Sequence, residues 1–149
     1  MILQNRNGWP AGHTVTLVAA VGLLAGCAAM QPDLSKQQQE DLQGNLQAAF
    51  GAYQDCMVAE SDPYVQVLSA PPADIAEAAQ GACESVYKGY ETAVTHYFTA
   101  VVSSSGRDDA RNRARLHASN AALQTRRQII GRILGQRLES SITGDAPGQ

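Results

Sequence analysis

The sequence predicts an all-α fold: an antiparallel helical bundle of three long (or four shorter) helices, closed by one interhelical disulfide. Three observations carry this. Apolar residues recur at helical spacing through most of the chain after residue 33. Proline, glycine and serine mark the breaks between the periodic segments. The alternating run at Tyr64–Leu68 is a brief extended piece at most, and one isolated strand cannot make a sheet. Of the 149 residues 44% are apolar and 17% charged, with a formal charge of −3, a balance that suits a folded domain and not a disordered chain.

The first element is not part of that bundle. From Thr14 to Ala25 runs an apolar stretch of twelve residues. At about 1.5 Å per residue it spans roughly 18 Å, short of a bilayer core of about 30 Å, and fits the h-region of an export signal. Arg6 and the amino terminus supply the upstream positive charge. The stretch ends in Leu24-Ala25-Gly26-Cys27. This resembles the lipobox of bacterial lipoprotein precursors, in which an aliphatic residue and two small residues precede the acceptor cysteine. The resemblance covers about residues 1–28 and implies a diacylglycerol on the Cys27 thiol, cleavage between Gly26 and Cys27, and acylation of the new amino group by a fatty acid such as palmitate. Ala28 stands where aspartate acts as an inner-membrane retention signal, which favours the periplasmic face of the outer membrane. Two or three acyl chains hold a protein stably where one is marginal, at about 0.8 kcal/mol per buried CH₂.

The expected organisation is therefore a signal peptide at 1–26, a lipidated tether at 27–33, a helical domain at 34–143 and a flexible tail at 144–149. Cleavage leaves 123 residues, enough for one core.

Helix A is predicted from Leu34 to Ser61. Ser35 with Gln38 three residues on has the capping-box pattern, and Leu42, Leu46, Ala49, Phe50, Tyr53 and Cys56 keep to one face. Pro63 ends it. Pro71-Pro72 opens helix B, where proline suits the first turn. Its apolar stripe is continuous from Ile75 through Cys83, Val86, Tyr90, Val94 and Tyr97 to Val101, and Ser103-Ser104-Ser105-Gly106 closes it. Helix C is predicted from Arg107 to Ser141, with Leu116, Leu123, Ile130, Leu134 and Leu138 as its core stripe, widened by Ile129 and Ile133. Its first half is polar, so the packed portion is expected in the second half, where Gly131 and Gly135 would let a neighbour approach.

With Cys27 lipidated, Cys56 and Cys83 remain. An even remainder in an exported protein reads as a disulfide, and both residues fall on core faces at depths differing by only roughly 6 Å. A redox pair is usually close in sequence, as in Cys-X-X-Cys, and a metal site would need two further ligands, for which His96 and His117 lie far away in sequence. The expectation is a structural bridge, with no metal and no cofactor.

Charge is unevenly placed. Between Cys27 and Gly106 ten carboxylates stand against two lysines, whereas Arg107–Ser141 carries eight arginines against three carboxylates. Such a split suits docking of helix C on the acidic A–B hairpin. The alternative is that Arg107, Arg111, Arg113 and Arg115 contact anionic lipid headgroups, at about 1 kcal/mol per arginine. The exported location, acidic total and lack of interleaved aromatics argue against nucleic acid. No catalytic motif is present: the histidines are isolated, the serines lack a nucleophile pattern and there is no glycine-rich phosphate loop. In architecture the expected protein looks like the pilotins of secretion systems, small helical lipoproteins that carry a secretin subunit to the outer membrane. That likeness implies a non-catalytic envelope role, with a groove lined by Tyr90, Tyr97, Ile130 and Leu134 for a partner helix. An enzyme remains the third alternative.

Overall fold

Ser35 opens the first helix with a complete capping box: its hydroxyl accepts the Gln38 N–H at 3.2 Å, and its own N–H donates to Gln38 Oε1 at 2.9 Å. The computed structural model describes residues 34–144. The expected signal segment, the lipobox with Cys27, the tether at 27–33 and residues 145–149 lie outside the described residues. Helix α1 runs over Lys36–Ser61 and stops where Pro63 offers no N–H.

Beyond it the chain makes a 3₁₀ turn, Asp62–Tyr64, and further tight turns closed by Val67 N–H to the Tyr64 carbonyl and Ala70 N–H to the Val67 carbonyl, both at 3.0 Å. The segment Tyr64–Leu68, expected to hold a brief extended piece at most, is thus a run of turns. With no second strand among the described residues to bond, its N–H groups turn to nearby carbonyls instead.

The stripe expected in one long helix B is divided between α2, Pro72–Ala82, and α3, Glu84–Ala100. The break falls on Cys83, at φ −90° and ψ 11°. Helical hydrogen bonds pass almost uninterrupted through it: Cys83 N–H donates to Ala79 at 3.0 Å and its carbonyl accepts from Tyr87 at 2.9 Å. The apolar phase therefore survives the bend, which is why the pattern reads as one helix. After a second 3₁₀ turn at Ser104–Gly106, α4 spans Arg107–Thr143, and Gly144 at φ 75° ends it in the left-handed conformation that suits glycine.

The four helices pack around one core. From α1 come Tyr53 and Met57, from α2 Ile75, Ala76 and Ala79, from α3 Tyr90 and Val94, with Cys83 buried between the latter two helices. The expected faces of helices A and B are thus the buried ones.

Helix α4 is a correction. Its buried face is Ala110, Ala114, Ala118, Ala122, Thr125, Ile129 and Ile133, and packing extends through the first half as well as the second. Leu116, Leu123, Leu134 and Leu138, expected as the core stripe, point outward. At about 100° per residue, Leu116 and Leu134 lie in phase with each other and roughly 160° from Ala118 and Ala114. Alanines spaced by four form a shallow ridge that brings helix backbones close, and the bulkier leucines cannot share that interface. Gly131 and Gly135 also face open space: a methyl group at either position would meet nothing within 4 Å.

Helices α1 and α4 run alongside each other, antiparallel to α2 and α3. One end of the bundle gathers the start of α1, the end of α3 and the start of α4. There Leu34 and Leu42 line the same small cavity as His96 and Ala100. The opposite end holds the α1–α2 loop, gripped by Arg137. Its Nε donates to the Val65 carbonyl at 2.7 Å, and its Nη2 to those of Val67 at 2.9 Å and Ala70 at 3.0 Å. Two ion pairs join α4 to the acidic hairpin, Arg126 with Glu77 at 3.0 Å and Arg132 with Asp62.

Candidate functional site

The centre of the bundle is structural. Cys56 and Cys83 form a disulfide with Cα atoms 6.0 Å apart, joining α1 to the α2–α3 bend. Beside it the Tyr53 ring stacks on Tyr90 at 6.4 Å and meets Tyr87 at 5.4 Å, while Phe50 lies 5.1 Å from Tyr90. Burial pushes the phenols of Tyr53, Tyr87 and Tyr90 above their usual value, and the proximity of Tyr87 adds to the shift in the other two. Among the described residues the Tyr53 hydroxyl has no hydrogen-bond partner.

This packing corrects the expected partner groove. Tyr90, 2% exposed, belongs to the core and cannot line a surface. Tyr97 is half-buried and meets Phe98 edge-on at 6.0 Å. Ile130 packs partly against the core, whereas Leu134 stands out in solvent. The four residues do not share one surface.

What the surface does present is the outer face of α4. Leu116 (62% exposed), Leu123, Leu134, Leu138 and Ile142 (76%) stand out along it. Ile130 lies seven residues from Leu123 and four from Leu134. Arg127, four residues after Leu123 and seven before Leu134, falls in the middle of this stripe, and among the described residues it makes no ion pair. Exposed Tyr64, Val67 and Leu68 belong to the loop held by Arg137.

The four arginines at the start of α4 do not form a single face. Arg107, Arg111 and Arg115 are spaced by four and share a ridge, while Arg113 lies about 160° around the helix from Arg111 and Arg115. Arg111 pairs with Asp108 at 2.6 Å and Arg113 with Asp109 at 2.7 Å, both within the helix. Arg115 donates to Asn112 Oδ1 at 2.5 Å.

Arg111 and Arg115 wall one side of an open groove of about 540 Å³ between α4 and α3. The α3 wall is Glu91, Thr92, Thr95, His96 and Thr99. Each threonine donates its hydroxyl hydrogen to a carbonyl one turn back, at 2.8 Å for Thr92, 2.9 Å for Thr95 and 2.7 Å for Thr99. His96 also lines the smaller cavity of about 300 Å³ against α1, with Leu34 and Asp41. His117 lies elsewhere, its ring 5.5 Å from Phe98. His96 and His117 do not converge on one site.

At the far end, a cavity of about 530 Å³ lies between the α1–α2 loop and α4, lined by Asp62, Gln66, Gln136 and Glu139 among others. Among the described residues there is no group of three or more His, Cys, Asp or Glu placed to hold a metal ion, and no helix is long and apolar enough to cross a membrane.

Sequence reasoning missed the direction of the α4 leucines and the groove. The signal for the groove was available: Thr92, Thr95 and Thr99 recur at helical spacing on the polar side of helix B, opposite arginines spaced by four. Comparison with protein-family models, with curated proteins and with solved structures finds no match for this chain.

Proposed function

We propose that this protein is a lipid-anchored component of the bacterial envelope that works as a binding module, holding an amphipathic helix of a protein partner along the outer face of α4. The anchor is Cys27, and Ala28 favours the periplasmic face of the outer membrane. One observation carries the binding role: five large apolar side chains stand more than half exposed along a single helix. Isolated exposed leucines are ordinary, but five aligned on one face of a helix mark an interaction face. Its length and spacing suit helix-against-helix recognition through residues three, four and seven apart. Arg127 within the stripe selects a partner helix that carries a carboxylate among its apolar residues, since an uncompensated guanidinium in a closed interface is costly. In role this resembles the pilotin class, with the docking face moved from the interior groove to the outer side of α4.

The experiment uses the full chain in its own cells, with a photo-crosslinking residue at position 123 or 138 and a control at exposed Ala78 on α2. The expected result is one envelope protein captured from 123 and 138 but not 78, with the crosslink mapping to an amphipathic helix bearing Asp or Glu. Leu134→Glu should abolish it without lowering thermal stability. Capture that survives Leu134→Glu, or a crosslinked segment that is neither helical nor acidic, overturns the binding role. The anchor is tested separately. Cys27→Ser should remove the acyl mass and release the protein from envelopes, and a variant that still partitions with them refutes it.

A further inference from the structure

The groove between α3 and α4 has walls of opposite character. On the α3 side every threonine hydroxyl has committed its single hydrogen to a carbonyl within the helix. Their lone pairs remain as acceptors, and Glu91 and the imidazole of His96 line the same wall. On the α4 side Arg111 and Arg115 each commit one N–H bond, to Asp108 and Asn112, and keep most of their five donors. A simple anion would meet the carboxylate and the lone pairs. A simple cation would meet two guanidiniums. A ligand with an N–H-bearing cation at one point and an anion at another meets complementary groups on both walls.

We propose that this groove binds a small zwitterion of the phosphoethanolamine type. Its phosphate lies on Arg111 and Arg115, whose planar forks suit phosphate oxygens, and its ammonium lies against Glu91 and the threonine oxygens. The volume of about 540 Å³ is within the range of small-molecule sites. The same chemistry is available from a free solute or from a lipid headgroup. The groove lies at the end of the bundle where the chain enters α1. Leu34 lies seven positions after Cys27 in the sequence, a reach of at most roughly 25 Å. The headgroup source rests on the anchor at Cys27. The solute source does not, and neither depends on the outer face of α4.

The test is a titration of the full chain carrying Cys27→Ser, following the His96 imidazole by NMR. Soluble phosphoethanolamine is compared with phosphocholine and inorganic phosphate, and phosphatidylethanolamine-containing vesicles with pure phosphatidylcholine. Saturable binding of phosphoethanolamine is expected, at least about tenfold tighter than either comparator, because the quaternary ammonium of phosphocholine has no N–H to donate and inorganic phosphate has no cation. Glu91→Gln and Arg115→Gln should each weaken it about tenfold or more, while Arg113→Gln, on the other side of α4, leaves it unchanged. Thermal melts of each variant establish that the fold is retained. Binding to the ethanolamine vesicles alone assigns the site to the headgroup, and binding of the solute alone assigns it to a free zwitterion. Failure of both, equal affinity for phosphocholine or phosphate, or an Arg113→Gln effect as large as that of Arg115→Gln overturns the proposal.

Discussion

The guanidinium of Arg137 donates through Nε to the carbonyl oxygen of Val65 at 2.7 Å, so that a residue near the end of α4 holds the loop that follows α1. The same group reaches the carbonyls of Val67 and Ala70. The carbonyls of Val65 and Ala70 have no backbone donor in this loop, that of Val67 already accepts from Ala70 N–H and takes a second bond, and one planar cation serves all three. Arg137→Ala should therefore cost about 2–3 kcal/mol in urea denaturation. Arg137→Lys should recover little of it, because an ammonium cannot present the fork. Arg127→Ala, which removes a side chain with no ion pair among the described residues, should change stability by less than about 0.5 kcal/mol. A loss for Arg137→Ala no larger than that of Arg127→Ala would show that the loop is held by other contacts.

The two faces of α4 give opposite expectations for similar substitutions. Ala118 is completely buried, so Ala118→Leu should overpack the helix interface and cost about 1–3 kcal/mol. Leu123 is half exposed, and Leu123→Ala should cost well under about 1 kcal/mol, where a true core leucine would cost about 2–5. Thermal melts of the pair decide which face is inside. The reverse order of effects would restore the leucine stripe to the core.

How far these faces could be read from the chain depended on contrast. In α1 and the α2–α3 pair, Tyr53, Ile75, Tyr90 and Val94 belong to the one stripe of large side chains at helical spacing, with no rival stripe at the same period, so periodicity alone assigns them inward. Ser35, Gln38, Pro63 and Pro72 mark helix ends through backbone chemistry that no packing overrides. In α4 the rule breaks down, because alanine and leucine stripes compete at the same period and hydrophobicity favours the leucines. Close approach to α3 decides for the alanines, and that distance is a property of the assembled bundle. The groove was only half legible for a related reason: its threonines and its arginines each recur at helical spacing, but nothing in the chain pairs the two rows until the helices assemble.

The Cys56–Cys83 bridge closes a loop across a sequence separation of 27. On the chain-entropy account, replacing both with alanine should cost about 3.5 kcal/mol. Reduction of the native bridge should cost a similar amount and require denaturant or heat, because Cys83 is completely buried. Denaturation with and without reductant measures the first quantity, and thiol labelling under native conditions the second. Rapid labelling of both thiols in folded, reductant-treated protein would mean that the α2–α3 bend opens without global unfolding.

The tyrosine cluster predicts a loss of stability in alkali, with a defined sign. The phenols of Tyr53, Tyr87 and Tyr90 are raised above 10.0 chiefly by burial, so the folded chain holds these protons more tightly than the unfolded chain does. Below about pH 10 both states are protonated and stability is flat on this account. As pH rises further the unfolded state loses its protons first, binds fewer than the folded state, and stability falls until the folded phenols also ionise. Urea midpoints from about pH 8 to 11 should trace this decline. Tyr53→Phe separates two effects. It removes a hydroxyl that is buried without a partner among the described residues, which should raise stability near neutrality by about 1 kcal/mol. It also deletes one of the three groups that drive the alkaline slope, so the decline should become shallower. A variant less stable than the parent near neutrality, with an unchanged slope, would mean that the Tyr53 hydroxyl is solvated in the folded protein and that its proton contributes nothing to the alkaline transition.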